Sequence, residues 1–340
     1  MSASNTPLTF QNLVIVLLSD EERVSQRITS ENVGIAVSAL HRDGIVALEN
    51  AVDLDHIDRL NSIMSSESDI MASLPTTHRN HIGNDDDCGN ISQSPPLDPE
   101  FIYGDIWANP AAAAVLNCLL GPNPCVTYVN GNTALGGYQG TRQRVHADVT
   151  FNHGLFPFAI VVNYYLVDAS PANGSTEIWL GSHRDTTFAD QRSCGLDVPT
   201  AADLDMGIRE DLLEARRAIA PPIQPTIKRG SVILRDLRLW HAGVGNPSPQ
   251  PRVMLAFVHM PWWYRCPAKV KLPEKARELV ERWARQDHPV QYQAEFLPGT
   301  LDHKLLDFTA DFSSSNKGYR SMLPDLPEGF VFRQGKQEEG

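Results

Sequence analysis

The stretch Val145-His-Ala-Asp-Val-Thr-Phe151 places polar residues between β-branched and aromatic ones, a pattern typical of a strand. Side chains in a strand alternate between two faces, so residues two apart point the same way. His146 and Asp148 are therefore predicted to lie side by side. An imidazole beside a carboxylate is either a hydrogen-bonded pair at the surface or part of a metal-ligand set, whose further ligand must come from elsewhere in the fold.

Similar short runs surround this stretch, separated by turns rich in Gly, Pro, Asn and Asp. The other runs are Val126–Val129, Phe158–Val167, Thr176–Trp179, Ser231–Leu234 and Val253–Met260. Between them lies one helical insertion, at about 202–219. The pattern predicts a mainly β fold with flanking helices, of the β-sandwich or jelly-roll type.

The rest of the chain is predicted to add helices and loops to this core. Residues 1–30 are expected to form a polar leader, and residues 66–104, rich in Ser, Asp, Asn and Pro, a long loop. Helix-start signals stand at Ser30, Asp53, Asn109 and Pro273. No repeat or linker divides the sequence, so residues 1–340 are expected to form a single domain with its jelly-roll core at about 120–262.

Composition narrows the class of protein. Lys plus Arg number 29 and Asp plus Glu 41, a net charge of −12 that argues against a nucleic-acid partner. The five cysteines are scattered without zinc spacing, so neither a disulfide scaffold nor structural zinc is indicated. The longest early apolar run, Leu13 to Leu18, is too short for a membrane span. We expect a soluble, cytoplasmic protein.

His241 is the best candidate for a third metal ligand, because it follows an apolar strand within Leu239-Trp-His-Ala-Gly243. Two histidines and one carboxylate form a facial triad with open positions, which suits iron(II). Zinc accepts the same ligand types. The ligands alone leave open an iron oxygenase and a zinc- or other metal-dependent hydrolase or isomerase.

Arg252 begins another apolar strand, eleven residues after His241. A guanidinium is costly to bury there unless it meets an anion, and its fork matches a carboxylate bidentately. That anion is either a carboxylate of the protein or a carboxylate co-substrate.

Four landmarks in this order resemble the phytanoyl-CoA dioxygenase family. They are Leu40-His-Arg-Asp-Gly-Ile-Val46, Gln143-Arg-Val-His-Ala-Asp148, Asn173-Gly-Ser-Thr-Glu-Ile-Trp-Leu-Gly-Ser-His183, and Gly230 with His241 and Arg252. The resemblance implies a double-stranded β-helix, a cupin-like jelly roll, and an oxygenase that uses iron(II), 2-oxoglutarate and O2.

The resemblance also implies roles for single residues. His146, Asp148 and His241 match the iron ligands, Arg252 the partner of the distal carboxylate of 2-oxoglutarate, and Gln143 and Thr176 two further co-substrate contacts. An intact Asp148 argues against a halogenase, whereas Met254 stands where relatives often carry a hydroxyl. His183, in the third landmark, is expected to be a structural histidine in a turn, and His153 and His259 to be packing or pocket-wall residues, not ligands.

By the same resemblance, a small organic molecule would be oxidised while succinate and CO2 are released. Hydroxylation, desaturation and oxidative ring formation or rearrangement all fit, and fungal members that tailor secondary metabolites look most similar. Several aromatic residues are candidates to line an apolar substrate pocket, to belong to the jelly-roll core or to form a subunit interface. They are Phe151, Phe156, Phe158, Trp179, Trp262 and Trp263.

Two segments are candidates to close over the site, and the sequence also leads to an expected assembly. Candidate lids are the loop His78–Asp87 and the C-terminal tail. A homodimer is the expected assembly, and the non-enzymatic alternative is a non-catalytic partner of a related dioxygenase.

Overall fold

The computed structural model describes residues 12–80, 88–191, 207–306, 311–323 and 325. A large sheet lies at its centre, in the order β1-β2-β7-β5-β9-β4-β11, with β3 also paired to β4. These strands are Ile15–Leu17 (β1), Ile45–Glu49 (β2), Asn90–Ser92 (β3), Cys125–Ala134 (β4), Ile160–Tyr165 (β5), Val232–Asp236 (β7), Arg252–Met260 (β9) and Gln291–Tyr292 (β11).

A smaller sheet pairs Glu177–Ile178 (β6) with His241–Ala242 (β8) in antiparallel fashion. Single bridges widen it, from His146 to His241 and from Ile178 to Ile223. Away from both sheets, Val270–Pro273 (β10) pairs in parallel with Ala294–Leu297 (β12).

The two faces of the large sheet pack against different partners. Val162, Leu234 and Leu255 share a buried apolar cluster with Ile57 and Trp107 from the helices. Alternate positions point the other way, where Ile233 and Tyr165 pack with Ile178 of the smaller sheet. Two sheets that enclose a common interior, with helices outside, confirm the predicted mainly β, jelly-roll fold class.

Helices cover the outer face of the large sheet and the ends of the fold. They are Asp20–Ser25 (α1), Ser30–Asp43 (α2), Leu54–Ser73 (α3), Gly104–Trp107 (α4), Pro110–Leu120 (α5), Glu210–Ile219 (α6), Arg277–Trp283 (α7) and Lys317–Arg320 (α8). The side chains of Thr29, Asp53 and Asn109 cap α2, α3 and α5 by accepting backbone N–H bonds. The helix starts predicted at Ser30, Asp53 and Asn109 are confirmed within one residue.

Gly44 ends α2 with a positive φ of 78°. A Cβ at this position would lie 2.5 Å from Nδ1 of His183 and 2.9 Å from Cδ1 of Leu239. Only glycine therefore allows the chain to turn here from α2 into β2.

Two N-terminal predictions were wrong in part. The expected leader contains β1, which pairs in parallel with β2, followed by the short helix α1. The expected loop at 66–104 begins inside α3 and includes β3, which pairs with β4. Short strands of this kind form through pairing with distant residues, which local periodicity does not report.

The predicted strand at 145–151 is also corrected. Within it, His146 alone forms bridges, to Gly207 and His241, and the remaining residues form no regular strand. At the C-terminal end, Pro273 precedes a 3-10 turn, Glu274–Ala276, and the α-helix proper begins at Arg277. Part of the insertion predicted at 202–219 lies outside the described residues, and its described part is α6.

Candidate metal centre

Three side chains meet between the two sheets. Nε2 of His241 lies 3.5 Å and Nε2 of His146 3.7 Å from Oδ1 of Asp148, and the three ligand atoms all lie within 4.8 Å of one another. Ligand atoms 2.0–2.2 Å from one metal at right angles are themselves about 3 Å apart. The arrangement could hold a metal ion, and among the described residues no other group of three His, Cys, Asp or Glu side chains does so.

Backbone pairing brings the two histidines together. The amide of His146 donates to the carbonyl of His241, and the amide of His241 donates to the carbonyl of His146, each at 2.9 Å. The Asp148 amide donates to the Leu237 carbonyl at 3.0 Å. These bonds hold the 146–148 segment against the chain that leads into β8. The side chains converge as predicted, although a single bridge, not a full strand, orients them.

The outer nitrogen of each ring faces a carbonyl two residues earlier in the chain. Nδ1 of His146 lies 2.9 Å from the carbonyl oxygen of Arg144, and Nδ1 of His241 lies 3.0 Å from that of Leu239. An Nδ1–H that donates to these oxygens leaves the Nε2 lone pair free for a metal. Burial lowers the pKa of both imidazoles, which favours the neutral, ligating form.

Arg235 of β7 contacts the carboxylate of Asp148. Its Nη2 donates to Oδ2 at 2.7 Å, while Oδ1 is the oxygen nearest the two histidines. Nη1 lies 3.2 Å from Nδ1 of His241. Burial acts to raise the pKa of Asp148, but the adjacent side chains of His241, Arg235 and His146 together hold it well below its usual range. The carboxylate is therefore ionised with one oxygen engaged and the other directed to the histidines.

Arg235 was not predicted from the sequence. A signal for it is present, because an arginine directly after an apolar strand run must find an anionic partner or water, as Arg252 also must. The partner of Arg235 became visible only when β7 and the 146–148 segment were placed together.

Arg252 begins β9 and is 2% exposed. Its guanidinium carbon lies 5.5 Å from the centre of the Tyr165 ring. Nε and Nη1 are buried and have no hydrogen-bond partner among the residues that the structure describes. No described carboxylate pairs with it, so the alternative of a salt bridge within the protein finds no support there. Buried, unpaired guanidinium nitrogens fit the carboxylate of a bound small molecule.

Gln143 and Thr176 lie on opposite flanks of this region and make protein contacts. The Gln143 amide donates to the Asn80 carbonyl at 2.6 Å and accepts from the Gly243 amide at 2.8 Å. The Thr176 hydroxyl lies 3.3 Å from that of Tyr165, the residue stacked on Arg252. Gln143 thus ties together the segments that carry His146 and His241. The co-substrate contacts expected of Gln143 and Thr176 remain predictions.

The three histidines that were not expected to bind metal lie outside the triad. His183 and His153 are buried near Asp236 and Arg238, and His259 faces the carbonyl of Phe257. Burial lowers the pKa of each of these three imidazoles to about 4. Each is therefore neutral at pH 7.

Of the aromatic residues singled out in the sequence, some lie in the core and others at the protein surface. Phe158 and Trp179 are fully buried, whereas Trp262 is 51% exposed. The C-terminal segment 311–323 contacts the chain next to Trp262, since the hydroxyl of Tyr264 donates to the Phe312 carbonyl at 2.8 Å. The loop proposed as a lid at His78–Asp87 falls largely outside the described residues.

Comparison with known proteins identifies the family. The model of the phytanoyl-CoA dioxygenase (PhyH) family matches residues 40–254, more than half of the chain. The chain belongs to the phytanoyl-CoA dioxygenase family. Together with the triad, this membership confirms the predicted enzyme class, a dioxygenase dependent on iron and 2-oxoglutarate. The match contains every residue assigned from the motifs.

Solved structures agree with this family fold. EctD from S. alaskensis with 2-oxoglutarate and 5-hydroxyectoine is 22% identical, with a TM-score of 0.52, and the match covers 80% of this chain and 88% of that one. EctD from S. alaskensis with bound Fe matches over the same shares at 22% identity and a TM-score of 0.50. At this identity the likeness concerns the fold alone. No helix among the described residues of this family member has the length and hydropathy needed to cross a bilayer.

Proposed function

We propose that this dioxygenase oxidises a small organic molecule in secondary metabolism, by hydroxylation, desaturation or oxidative ring formation or rearrangement. His146, Asp148 and His241 would hold the iron, and Arg252 would anchor the distal carboxylate of 2-oxoglutarate. Gln143 and Thr176 would complete the co-substrate site. The motif resemblance to enzymes that tailor secondary metabolites supports the substrate class.

The observation that carries the proposal is the state of Arg252. A cation that is 2% exposed, with two buried nitrogens that find no partner in the part of the chain that the structure describes, is unfavourable unless an anion completes the site. A dicarboxylate that reaches both the triad and Arg252 meets that need. A zinc hydrolase or isomerase offers no comparable reason for this arginine.

The protein's own contribution would be to hold and orient the reactants. When bound, iron(II) with 2-oxoglutarate and O2 supplies the oxidising power to attack an unactivated C–H bond. The two neutral imidazoles and Oδ1 of Asp148 would hold the metal as a facial triad, a ligand set that leaves coordination positions open. Arg235 would fix the second oxygen of Asp148 through its hydrogen bond.

Anaerobic addition of iron(II) and 2-oxoglutarate tests the cofactors, because the chelate gives a visible charge-transfer band. We expect the band in the native chain and its loss in Asp148→Ala. Succinate release is then screened against a panel of neutral small metabolites. The proposal fails if the band is absent, or if the enzyme turns over a substrate without 2-oxoglutarate, as a hydrolase would.

The expected homodimer also remains a proposal. Ile15 and Leu17, on the edge strand β1, are 48% and 65% exposed and offer an apolar surface for a second copy. Sedimentation equilibrium of the native chain and of Leu17→Lys tests it. A monomeric mass for the native chain at micromolar concentration would contradict the homodimer.

A further inference from the structure

One face of β4 points into the space between the sheets. Gly131 faces α3, because a Cβ there would lie 3.4 Å from Cε of Met64 and, on the same side, 2.6 Å from the Gln93 carbonyl oxygen. Thr133 faces the same way, since its hydroxyl donates to the Gln93 side chain at 2.7 Å. A register shift separates Val126 from Tyr128, and from there alternation directs Asn130 toward the interior.

The register places Asn130 one row from the row that contains Arg235, across three strand spacings of the large sheet. Asn130 pairs with Ala256 on β9. The neighbouring row runs from Tyr128 through Val258 and Val161 to Arg235, the residue that binds Asp148. Tyr128 therefore lies in the row that ends at Arg235, and Asn130 lies in the adjacent row, on the face of the large sheet that points into the interior.

The Asn130 side chain is buried with one end unsatisfied. The residue is 2% exposed, and its Nδ2 donates to the Tyr128 hydroxyl at 2.9 Å. Its Oδ1 is buried and has no partner among the described residues. A buried carbonyl oxygen without a donor is destabilising by an amount similar to a lost hydrogen bond, so such a group is normally completed by a ligand or water.

The surroundings of this oxygen suit a flat, neutral molecule. Ala256 on β9 lies directly opposite Asn130. The same row continues across the sheet to Asn163 on β5 and Ile233 on β7, and Ala256 has the smallest side chain in it. The ring of Phe312 stands edge-on to Tyr128 at 5.5 Å and adds an apolar wall. Oδ1 is an acceptor and would repel a carboxylate, which argues against a second contact to 2-oxoglutarate here.

We infer that Tyr128, Asn130 and Ala256 form a substrate subsite that binds a neutral group with an N–H or O–H donor, such as a secondary amide, lactam or hydroxyl on a flat apolar molecule. This inference deepens the proposed function and rests on it, because it places the substrate beside the triad. Asn130 would act as an acceptor that fixes the substrate's orientation, and Ala256 would provide the room.

Indole and N-methylindole are suitable probes, because they differ in one N–H donor. Equilibrium dialysis, with and without iron(II) and 2-oxoglutarate, measures their affinity without any need for turnover. We expect indole to bind the native chain about tenfold more tightly than N-methylindole, as one hydrogen bond to a buried acceptor predicts. Asn130→Ala should bring the ratio close to one. Thr133→Val, on the helix-facing side of the same strand, should preserve it.

Ala256→Leu provides a second variant that keeps Asn130. It should weaken both probes about equally, because it fills the space beside the amide, while 2-oxoglutarate still produces its charge-transfer band. Equal affinity of the native chain for both probes, or no binding of either at roughly millimolar concentration, would overturn the subsite. So would a loss of 2-oxoglutarate affinity in Asn130→Ala without a change in the indole ratio. Absence of the band in the native chain concerns the proposed function alone, since dialysis reports the probes separately.

Discussion

Nη2 of Arg235 lies 2.7 Å from Oδ2 of Asp148, the carboxylate oxygen that does not face the histidines. The Arg235 side chain is 9% and the Asp148 side chain 29% exposed, so this ion pair is partly shielded from water and salt. Oδ2 of Asp148 thus accepts a hydrogen bond from Arg235, while Oδ1 faces the two histidines. The contact therefore predicts a positioning role for Arg235 in metal binding.

Arg235→Leu should lower iron(II) affinity by roughly 10- to 100-fold, the usual effect of removing a partner of a metal ligand. The physical reason is that Asp148 loses the donor that orients it and favours its ionised form. Titration under anaerobic conditions, read by the charge-transfer band, measures the change.

Arg235→Lys, which keeps a cation and a donor, should restore part of the lost affinity. The exposed Arg285→Leu is the matched control and should leave it unchanged. Equal iron affinity in Arg235→Leu and the native chain would show that Asp148 needs no such partner.

Arg252→Leu should separate co-substrate binding from metal binding. We expect 2-oxoglutarate affinity to fall by about 100-fold, because the variant removes a buried, charge-assisted pair, while iron(II) affinity stays near the native value. The folded state should tolerate the change, since it removes a buried cation that has no partner among the described residues. Parallel loss of both affinities would count against the assigned role.

Gly243→Ala should weaken the site through Gln143. A Cβ at residue 243 would lie 2.5 Å from Oε1 of Gln143 and 2.7 Å from Nδ2 of Asn90. Gln143 must then move and release its bond to the Gly243 amide. We expect a loss of about 1–3 kcal/mol in unfolding free energy by denaturant titration, together with weaker 2-oxoglutarate binding.

Gly34→Ala is the contrasting glycine variant, because nothing lies within 4 Å of a Cβ there and the residue is inside α2. It should stabilise the protein by about 0.5–1 kcal/mol. A Gly243→Ala variant as stable as Gly34→Ala would mean that Gln143 is not held as described.

His259 should make stability depend on pH between 6.5 and 4. Burial lowers its pKa in the folded state to about 4, so the unfolded state binds more protons in this window. Stability therefore falls as the pH drops from about 6.5 and levels off below about 4. One proton contributes a slope of about 1.4 kcal/mol per pH unit.

Urea denaturation of metal-free His259→Gln at several pH values measures this contribution. The variant should lose about 3 kcal/mol less than the native chain over the window. His288→Gln, at an exposed position, should follow the native curve. A variant whose profile parallels that of the native chain would show that His259 does not titrate differently on unfolding.

Much of the fold could be predicted from local signals. Helix caps at Asp53 and Asn109 are chemical properties of a few neighbouring residues, and they appear where expected. Strands β5, β7 and β9 could be predicted because each is long enough for its β-branched residues to indicate a strand. Strand β1 could not be predicted, because its formation depends on β2, about thirty residues away.

The sequence by itself determined which chemical groups are available: a His-x-Asp pair, a distal histidine and an arginine that enters a buried strand. Their types and order sufficed to indicate the family and its chemistry. The tertiary structure alone decided which atoms face one another. Asp148 divides its oxygens between Arg235 and the histidines because a bridge and a strand register place three distant segments together. Such contacts depend on pairing across the sheet, and no local pattern encodes them.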